Sequence, residues 1–258
     1  MPTTIQIAMK PTAMARARYR LGWRQRRGWG GSPPCRGGVR GRPAGATVRV
    51  MAPSRLFADR ADAGRRLADI LPPLDGDVLV LGLARGGVPV AAEVARALGA
   101  PLDVLVVRKV GHPLQPEYAL GAVSEDGIAL PDDLPEAMVQ PQLERARRQA
   151  QELRGPRGRA PIEGRCAVVV DDGLATGRSM EVALTTVAEH RAARVVMAVP
   201  VAAGPGFRRL GERWEVHAVE VLEPPDFFAV GQFYSDFAQV SDQEVADLLR
   251  ESDSPQRV

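Results

Sequence analysis

From residue 51 onward, the apolar positions of the chain alternate between helical spacing and continuous runs of strand length. Leu56 to Leu71 has the helical spacing and ends at two prolines, so it predicts a helix. The run DVLVLGL, Asp77 to Leu83, is apolar almost throughout, as is typical of a strand that is covered on both faces. A glycine turn, ARGG, leads from this strand into a second predicted helix, VPVAAEVARAL, which Gly99 should end.

The same alternation continues along the rest of the chain. We predict further strands at residues 102–110 (LDVLVVRKV), 166–170, 194–201 and 215–221, and further helices at 134–154, interrupted near Pro141, and at 178–189, 207–212 and 242–250. The Asp126-Gly127 turn predicts a hairpin, and residues 155–165 are predicted to form a flexible loop. Strands that alternate with helices indicate an α/β fold with a doubly wound, mainly parallel sheet. Such sheets bind ligands at the carboxyl ends of their strands.

Composition narrows the class of protein. The chain has 258 residues, 45% of them hydrophobic, which is enough to bury a core. Its two cysteines, Cys35 and Cys166, cannot form a disulfide framework, and its three histidines are too scattered for a zinc site. No apolar run reaches the roughly 18 residues that span a bilayer, and the first twenty residues lack the apolar core of a secretory signal. We therefore expect a soluble, cytoplasmic protein with no membrane partner.

The formal net charge of +3 hides an uneven distribution of charge along the chain. Residues 1–50 contain Lys10, ten arginines and no acid, whereas residues 51–258 carry 23 basic and 31 acidic residues, a net of −8. The first segment is rich in glycine and has no helical or strand period, so we expect it to be disordered. Three interpretations are open: a nucleic-acid-binding arm, an organellar transit peptide, or upstream sequence that is not part of the natural protein. Residues 51–258 are the predicted folded domain.

The stretch VVVDDGLATGRSM, Val168 to Met180, combines an apolar strand, two acids and a loop of glycine and hydroxyl residues. A Walker A loop requires G-x-x-x-x-G-K-[ST], but this loop is one residue shorter and has arginine in place of lysine. The dinucleotide fingerprint G-x-G-x-x-G is absent, and its ribose-binding acid would come about 20 residues later rather than before the loop. Both of these phosphate-binding motifs are therefore disfavoured.

An acid pair followed directly by such a loop suits a compact ligand that carries a diol and a phosphate on one sugar ring. Asp171 and Asp172 can accept hydrogen bonds from vicinal ribose hydroxyls and can stabilise a nearby Mg²⁺. The backbone N–H groups of residues 175–179, with the hydroxyls of Thr176 and Ser179, can hold a 5′-phosphate at the start of the next helix. The stretch therefore predicts a sugar-phosphate site.

This stretch resembles the phosphoribosyl pyrophosphate (PRPP) signature of the type I phosphoribosyltransferases, and the resemblance extends over about residues 55–249. It is most similar to the bacterial branch of uncharacterised PRPP-dependent phosphoribosyltransferases. The motifs that carry this similarity are RKVGHP, Arg108 to Pro113, and FFAVGQFYSDF, Phe227 to Phe237. Arg178-Ser179 departs from the family, in which smaller residues are expected, and adds a positive charge near the phosphate.

The resemblance implies a doubly wound sheet with a small hood. It also implies transfer of 5-phosphoribosyl from PRPP to a nitrogenous acceptor, such as a nucleobase, with release of pyrophosphate. Arg85, Lys109, Asp171 and Asp172 would be catalytic, with the two cations on the pyrophosphate. Mg²⁺ is the implied cofactor, which the aspartates would hold indirectly, through PRPP or water. The residues implied to bind PRPP are Ala84, Arg85, Gly86, Gly87, Lys109, Asp171, Asp172, Ala175, Thr176, Gly177, Arg178 and Ser179.

Two classes of function are compatible with these residues: a PRPP-dependent transferase, and a regulator that keeps the PRPP site as a sensor and binds nucleic acid or a protein. The complete set of candidate PRPP residues favours the enzyme. For it we expect a homodimer, an unidentified small-molecule acceptor, no nucleic-acid partner, and a mobile lid over residues 110–164 that keeps water out. The aromatic side chains of Phe227, Phe228, Phe233 and Tyr234 either stack on an acceptor ring or belong to the core, and the core is favoured.

Overall fold

The structure, a computed structural model, describes residues 56–112, 115–223 and 226–252, without the side chains of residues 112–119. The basic segment of residues 1–50 lies outside these ranges, so its disorder stays a prediction. No helix in the described ranges is long and apolar enough to cross a membrane.

Six α-helices and eight strands make up the described fold, with short 3₁₀ turns at Gly155–Arg157 and Val230–Phe233. The helices are α1 Arg60–Ile70, α2 Gly87–Leu98, α3 Glu136–Arg154, α4 Arg178–Glu189, α5 Gly204–Gly211 and α6 Asp242–Ser252. The strands are β1 Val78–Leu83, β2 Leu102–Leu105, β3 Val107–His112, β4 Gln115–Ser124, β5 Ala129–Leu130, β6 Cys166–Val170, β7 Arg194–Ala203 and β8 Glu215–Leu222.

Five strands form one parallel sheet in the order β2-β1-β6-β7-β8, with helices packed on both of its faces. Alternate residues of each strand point to opposite faces, so Val168 packs towards α2 and α6 while Val169 packs towards α4. Burial on both faces explains why these strands are continuous apolar runs in the sequence. The prediction of a doubly wound, mainly parallel α/β sheet is confirmed.

The predicted single strand over residues 102–110 is wrong, because the chain changes sheet within it. β2 ends at Leu105 in the parallel sheet, and β3 begins at Val107 in a small antiparallel sheet of order β3-β4-β5, the hood sheet. Between them, the carbonyl of Val106 accepts a hydrogen bond from the amide of Glu125, which follows β4. The sequence gives no signal at the point where the pairing partner changes, since no glycine or proline stands between Leu105 and Val107.

Two helix predictions also need correction. α1 begins at Arg60 rather than Leu56, because Asp59 caps it by accepting a hydrogen bond from the Asp62 amide at 2.7 Å. α3 runs through Pro141 without interruption. Proline there removes one backbone hydrogen bond and crowds the preceding turn, so the helix depends on its packing. The helix is held against the rest of the fold by an apolar stripe: Val139, Leu143, Ala146, Ala150 and Leu153.

The segment expected to act as a lid is largely folded, since residues 110–164 contain β4, β5 and α3. The predicted hairpin is confirmed, with its turn at Asp126-Gly127 between β4 and β5. The C-terminal end of α3 is fastened to the parallel sheet through Arg154, whose guanidinium donates to the carboxylates of Asp103 in β2 and of Glu125. Lid motion of this segment stays a prediction.

Candidate functional site

The acid pair follows directly after β6, the middle strand of the parallel sheet. Asp171 Oδ1 accepts a hydrogen bond from the backbone amide of Asp172 at 2.9 Å. Burial raises the pKa of Asp171 well above its ordinary value, and the neighbouring Asp172 charge raises this pKa further. Burial also raises the pKa of Asp172, while the positive charge of Arg60 opposes that rise. Simultaneous negative charge on both carboxylates is therefore disfavoured, and the neighbouring Arg60 offsets part of this cost at Asp172.

The glycine turn after β1 lies against this acid pair. A Cβ at Gly86 would collide with the Asp172 carboxylate, and one at Gly87 would lie 2.6 Å from the carbonyl oxygen of Val170. The peptide bond between Ala84 and Arg85 in this turn is cis. Only glycine permits this approach of the two backbones. The turn predicted to hold pyrophosphate and the acids predicted to hold ribose are thus brought together.

The loop after the acids is anchored to the next strand and then opens into α4. The amide of Leu174 donates to Val201 at 2.8 Å, and the carbonyl of Leu174 accepts from Ala203 at 2.7 Å. Gly177 adopts a positive φ of 77° at the start of α4 and supplies no side-chain cap. The first amide groups of α4 therefore have no side-chain cap, as an anion site at a helix start requires, and phosphate binding there stays a prediction.

Two arginines flank the loop. The guanidinium of Arg178 donates to the carbonyl of Leu120 in the hood sheet at 3.1 Å, so it links α4 to that sheet. Arg209 in α5 pairs with Glu181 at 2.6 Å and donates to the carbonyl of Thr176 at 3.3 Å. Sequence reasoning missed Arg209, since no motif surrounds it. Both arginines line a cavity of about 820 Å³ together with Leu130, Pro131, Asp132, Thr176 and Glu181.

The two cations predicted to contact pyrophosphate belong to different parts of the fold. Arg85 is one-third exposed and makes a loose ion pair, 3.7 Å, with Asp242 at the start of α6. Lys109 is exposed on β3 of the hood sheet, not at the end of a parallel strand as predicted. Its charge nevertheless offsets a small part of the rise in the pKa of Asp171, so it lies near the acid pair.

A second cavity, of about 500 Å³, opens beside the acid pair. Its lining residues are Arg60, Arg85, Gly86, Asp172, Val230, Phe237, Gln239 and Val240. Sequence reasoning missed Arg60, which bonds the Asp172 carboxylate, and took Tyr234 for a core residue. Tyr234 is indeed buried, but its hydroxyl also donates to the backbone carbonyl of Asp172 at 2.6 Å. Phe233 is buried in the core as favoured, whereas Phe228 is exposed.

A glycine turn, an acid pair and an uncapped helix start lie together at one edge of a parallel sheet, the edge at which doubly wound α/β proteins bind their ligands. Residues 60–238 match the family model described as the phosphoribosyl transferase domain. The chain therefore belongs to the phosphoribosyltransferase family, which confirms the resemblance seen in the sequence.

Relatives with substantial identity support this assignment. Two Mycobacterium tuberculosis proteins, "Putative phosphoribosyl transferase MT0597" of strain CDC 1551 and "Putative phosphoribosyl transferase Rv0571c" of strain H37Rv, are each 49% identical over 210 residues. The match covers 76% of this chain but only 46% of each relative, so the chain spans about half the length of these proteins. The crystal structure of TT1426 from Thermus thermophilus is 46% identical with a TM-score of 0.66, over 76% of this chain and 98% of that one.

Proposed function

We propose that the protein transfers 5-phosphoribosyl from PRPP to a nitrogenous acceptor, with release of pyrophosphate. The observation that carries this proposal is the contact of the Gly86-Gly87 turn with the acid pair of Asp171 and Asp172, beside the uncapped start of α4. These features present backbone donors, carboxylates and cations within one site, as a sugar with phosphates at both ends requires. The acceptor and the expected homodimer remain part of the proposal.

The proposed placement of PRPP follows the chemistry of the side chains. The 5′-phosphate accepts hydrogen bonds from the backbone amides of residues 175–179 and from the hydroxyls of Thr176 and Ser179, next to the larger cavity. The ribose diol takes the acid pair. The pyrophosphate binds to the turn of residues 84–87 and to the charged groups of Arg85 and Lys109, since a guanidinium and an ammonium both donate strong hydrogen bonds to phosphate oxygens.

The donor set also fits a magnesium ion that arrives with the substrate. No group of three or more His, Cys, Asp or Glu side chains that could hold a metal occurs among the described residues. Mg²⁺ in phosphate-binding enzymes is commonly held by only one or two carboxylates, with substrate phosphates and waters completing its shell. Asp171 and Asp172 would hold it indirectly, and it would neutralise charge on the pyrophosphate.

In the proposed reaction, a nitrogen lone pair of the acceptor attacks C1 of the ribose while the bond from C1 to the pyrophosphate oxygen breaks. Positive charge then develops on the sugar ring, as in glycoside transfer, and negative charge develops on the leaving group. Arg85 and Lys109 stabilise that negative charge, and the backbone of the glycine turn orients it. The chain's own contribution is thus alignment of the two ends of PRPP, without a covalent enzyme intermediate.

A screen for pyrophosphate release tests this proposal. Purified protein, PRPP and Mg²⁺ are incubated with a panel of purine, pyrimidine and other nitrogenous acceptors. Release that depends on one acceptor, and that is lost in the Asp171→Asn, Asp172→Asn double variant, is the expected result. Tight PRPP binding without release for any acceptor would instead favour the sensor, and absence of PRPP binding would overturn both.

Separate changes at the two ends of the site should have separable effects. Thr176→Ala with Ser179→Ala should weaken ribose 5-phosphate and PRPP alike, by roughly tenfold or more, because each removes a hydroxyl donor to a charged phosphate. Arg85→Ala with Lys109→Ala should weaken PRPP and pyrophosphate but spare ribose 5-phosphate. Isothermal titration with the three ligands measures both patterns.

Both cations are exposed enough that their loss should leave the fold intact, since exposed charges contribute little to stability. A control variant, Arg65→Ala with Arg96→Ala, removes two exposed cations from α1 and α2, away from the proposed site. It should change none of the three affinities. The placement is wrong if the two pairs of changes weaken the ligands in the same pattern.

A further inference from the structure

Arg60, the first residue of α1, makes three polar contacts through one guanidinium. Its Nε and Nη2 both reach Oδ2 of Asp172, at 2.9 and 2.8 Å. Its Nη1 donates to the carbonyl of Ala238 at 2.7 Å. Its plane lies over the ring of Phe237, 3.9 Å from the ring centroid. With 12% of its side chain exposed, Arg60 is fixed on every side by groups that define its orientation.

These contacts divide the carboxylate oxygens of the acid pair into two sets. Oδ2 of Asp172 is taken by Arg60, and Oδ1 of Asp171 is taken by the Asp172 amide. Apart from Arg60 and the Asp172 amide, which also faces its own carboxylate, no described residue donates to Oδ2 of Asp171 or Oδ1 of Asp172. Two acceptor oxygens, one on each aspartate, are thus available for two adjacent hydroxyls.

The support for Arg60 comes from the meeting of two distant segments. The Phe57 amide donates to Phe233 and the Ser235 amide donates to Phe57, at 2.9 and 2.8 Å. The Tyr234 ring lies between those of Phe57 and Phe237, with centroids 5.3 and 4.9 Å away. The segment before α1 and the segment before α6 are therefore joined at the acid pair.

We propose that Arg60 is a positioning residue for the ribose diol: it holds the Asp172 carboxylate in the one orientation that leaves Oδ1 of Asp172 and Oδ2 of Asp171 facing the sugar. This inference rests on the proposed function of the acid pair. The terminal torsion of an aspartate is broad, so an unrestrained carboxylate samples many orientations. A fork of two N–H groups on one oxygen removes that freedom before the ligand arrives, which lowers the entropy cost of binding.

The alternative is that Arg60 only satisfies a buried carboxylate and ties the two segments together. The two roles predict different changes in affinity across a series of ligands. Positioning acts through the diol hydroxyls, so replacing Arg60 should lower the affinity only for ligands that have these hydroxyls. A purely structural role changes the affinity for every ligand of the site by the same factor, or changes only the stability of the fold.

The test compares three ligands of one size class: ribose 5-phosphate, 2-deoxyribose 5-phosphate and 2,3-dideoxyribose 5-phosphate. Arg60→Met keeps an apolar stem over Phe237 but removes the donors. We expect it to weaken the binding of ribose 5-phosphate by roughly 10- to 100-fold, the range found when a residue that orients a metal ligand is removed. Binding of the dideoxy ligand should be unchanged, and the deoxy ligand should fall between. Isothermal titration gives the three dissociation constants.

Two further variants complete the design. Arg60→Lys keeps a charge beside Asp172 but not the fork, so it should show a smaller loss that is still confined to ligands with hydroxyls. Arg66→Met is the matched control: it makes the same substitution on the same helix, at an exposed arginine that pairs with Asp62 and not with the acid pair. It should alter none of the constants.

The outcomes separate the two proposals. Equal losses for all three ligands in the Arg60 variants, or no loss, would overturn positioning while leaving the sugar-phosphate site intact. If the unchanged protein fails to bind ribose 5-phosphate, or binds all three ligands equally, the diol does not sit on the acid pair and the proposed function itself falls. If Arg60→Met does not fold, Arg60→Lys decides alone by the same pattern.

Discussion

Changing Arg154 to leucine will destabilise the protein by about 3–5 kcal/mol, the range expected when one member of a buried ion cluster is removed. The Arg154 guanidinium donates to Asp103 at 3.0 Å, to Glu125 at 2.7 Å and to the carbonyl of Val104. Only 8% of the Arg154 side chain is exposed, and that of Asp103 not at all. Loss of the Arg154 side chain leaves two carboxylates in the interior without their charged partner, which is costly because they are removed from water. Urea unfolding followed by circular dichroism measures the change.

A variant on the same helix controls for the change of residue. Arg148 is exposed on α3, so Arg148→Leu should alter the free energy of unfolding by at most about 0.5 kcal/mol. Adding Glu125→Gln to Arg154→Leu removes one of the unpaired charges and should recover part of the lost free energy of unfolding. Similar unfolding midpoints for Arg154→Leu and Arg148→Leu would show that the cluster does not hold the hood sheet to the parallel sheet.

Binding of PRPP with Mg²⁺ will stabilise the unchanged protein by roughly 2.7 kcal/mol at a ligand concentration 100-fold above Kd. For a folded domain of this size, that corresponds to a rise in Tm of roughly 5–10 °C. The double change Asp171→Asn, Asp172→Asn should abolish the rise, because amides cannot replace two carboxylates as acceptors for the diol or as partners for a magnesium ion. Differential scanning fluorimetry with and without ligand measures the rise for each protein against its own unliganded Tm.

Removing the acids will also affect the unliganded protein, and the two positions should differ. Asp171→Asn relieves a charge that burial disfavours, whereas Asp172→Asn deprives Arg60 of its partner. The matched control is Asp69→Asn with Asp75→Asn, two exposed aspartates outside the site, which should keep the full ligand-induced rise. An equal rise with ATP in place of PRPP, or a rise that survives the double change at the acid pair, would indicate a different nucleotide site.

The sequence by itself determined the fold class, the family and most secondary-structure elements. Strands that are buried on both faces must be apolar throughout, so β1, β6 and β7 were visible as uninterrupted runs, and β6 and α4 match their predicted bounds. The loop between them could also be predicted. Its chemistry depends on backbone amides and on neighbours in sequence, and both are local properties.

Only the tertiary structure decided which distant groups meet that loop. Arg60 reaches Asp172 across 112 positions and Tyr234 reaches it across 62, and Arg209 contacts Thr176 from α5. None of these arginines stands in a motif, because an arginine in a helix is equally common on a solvated face. The division of residues 102–110 between two sheets was likewise invisible, since no turn residue stands between the two strands and the partner of Val106, Glu125, comes later in the chain. Local chemistry thus located the candidate sugar-phosphate loop, while packing between segments far apart in sequence determined which residues contact its acids.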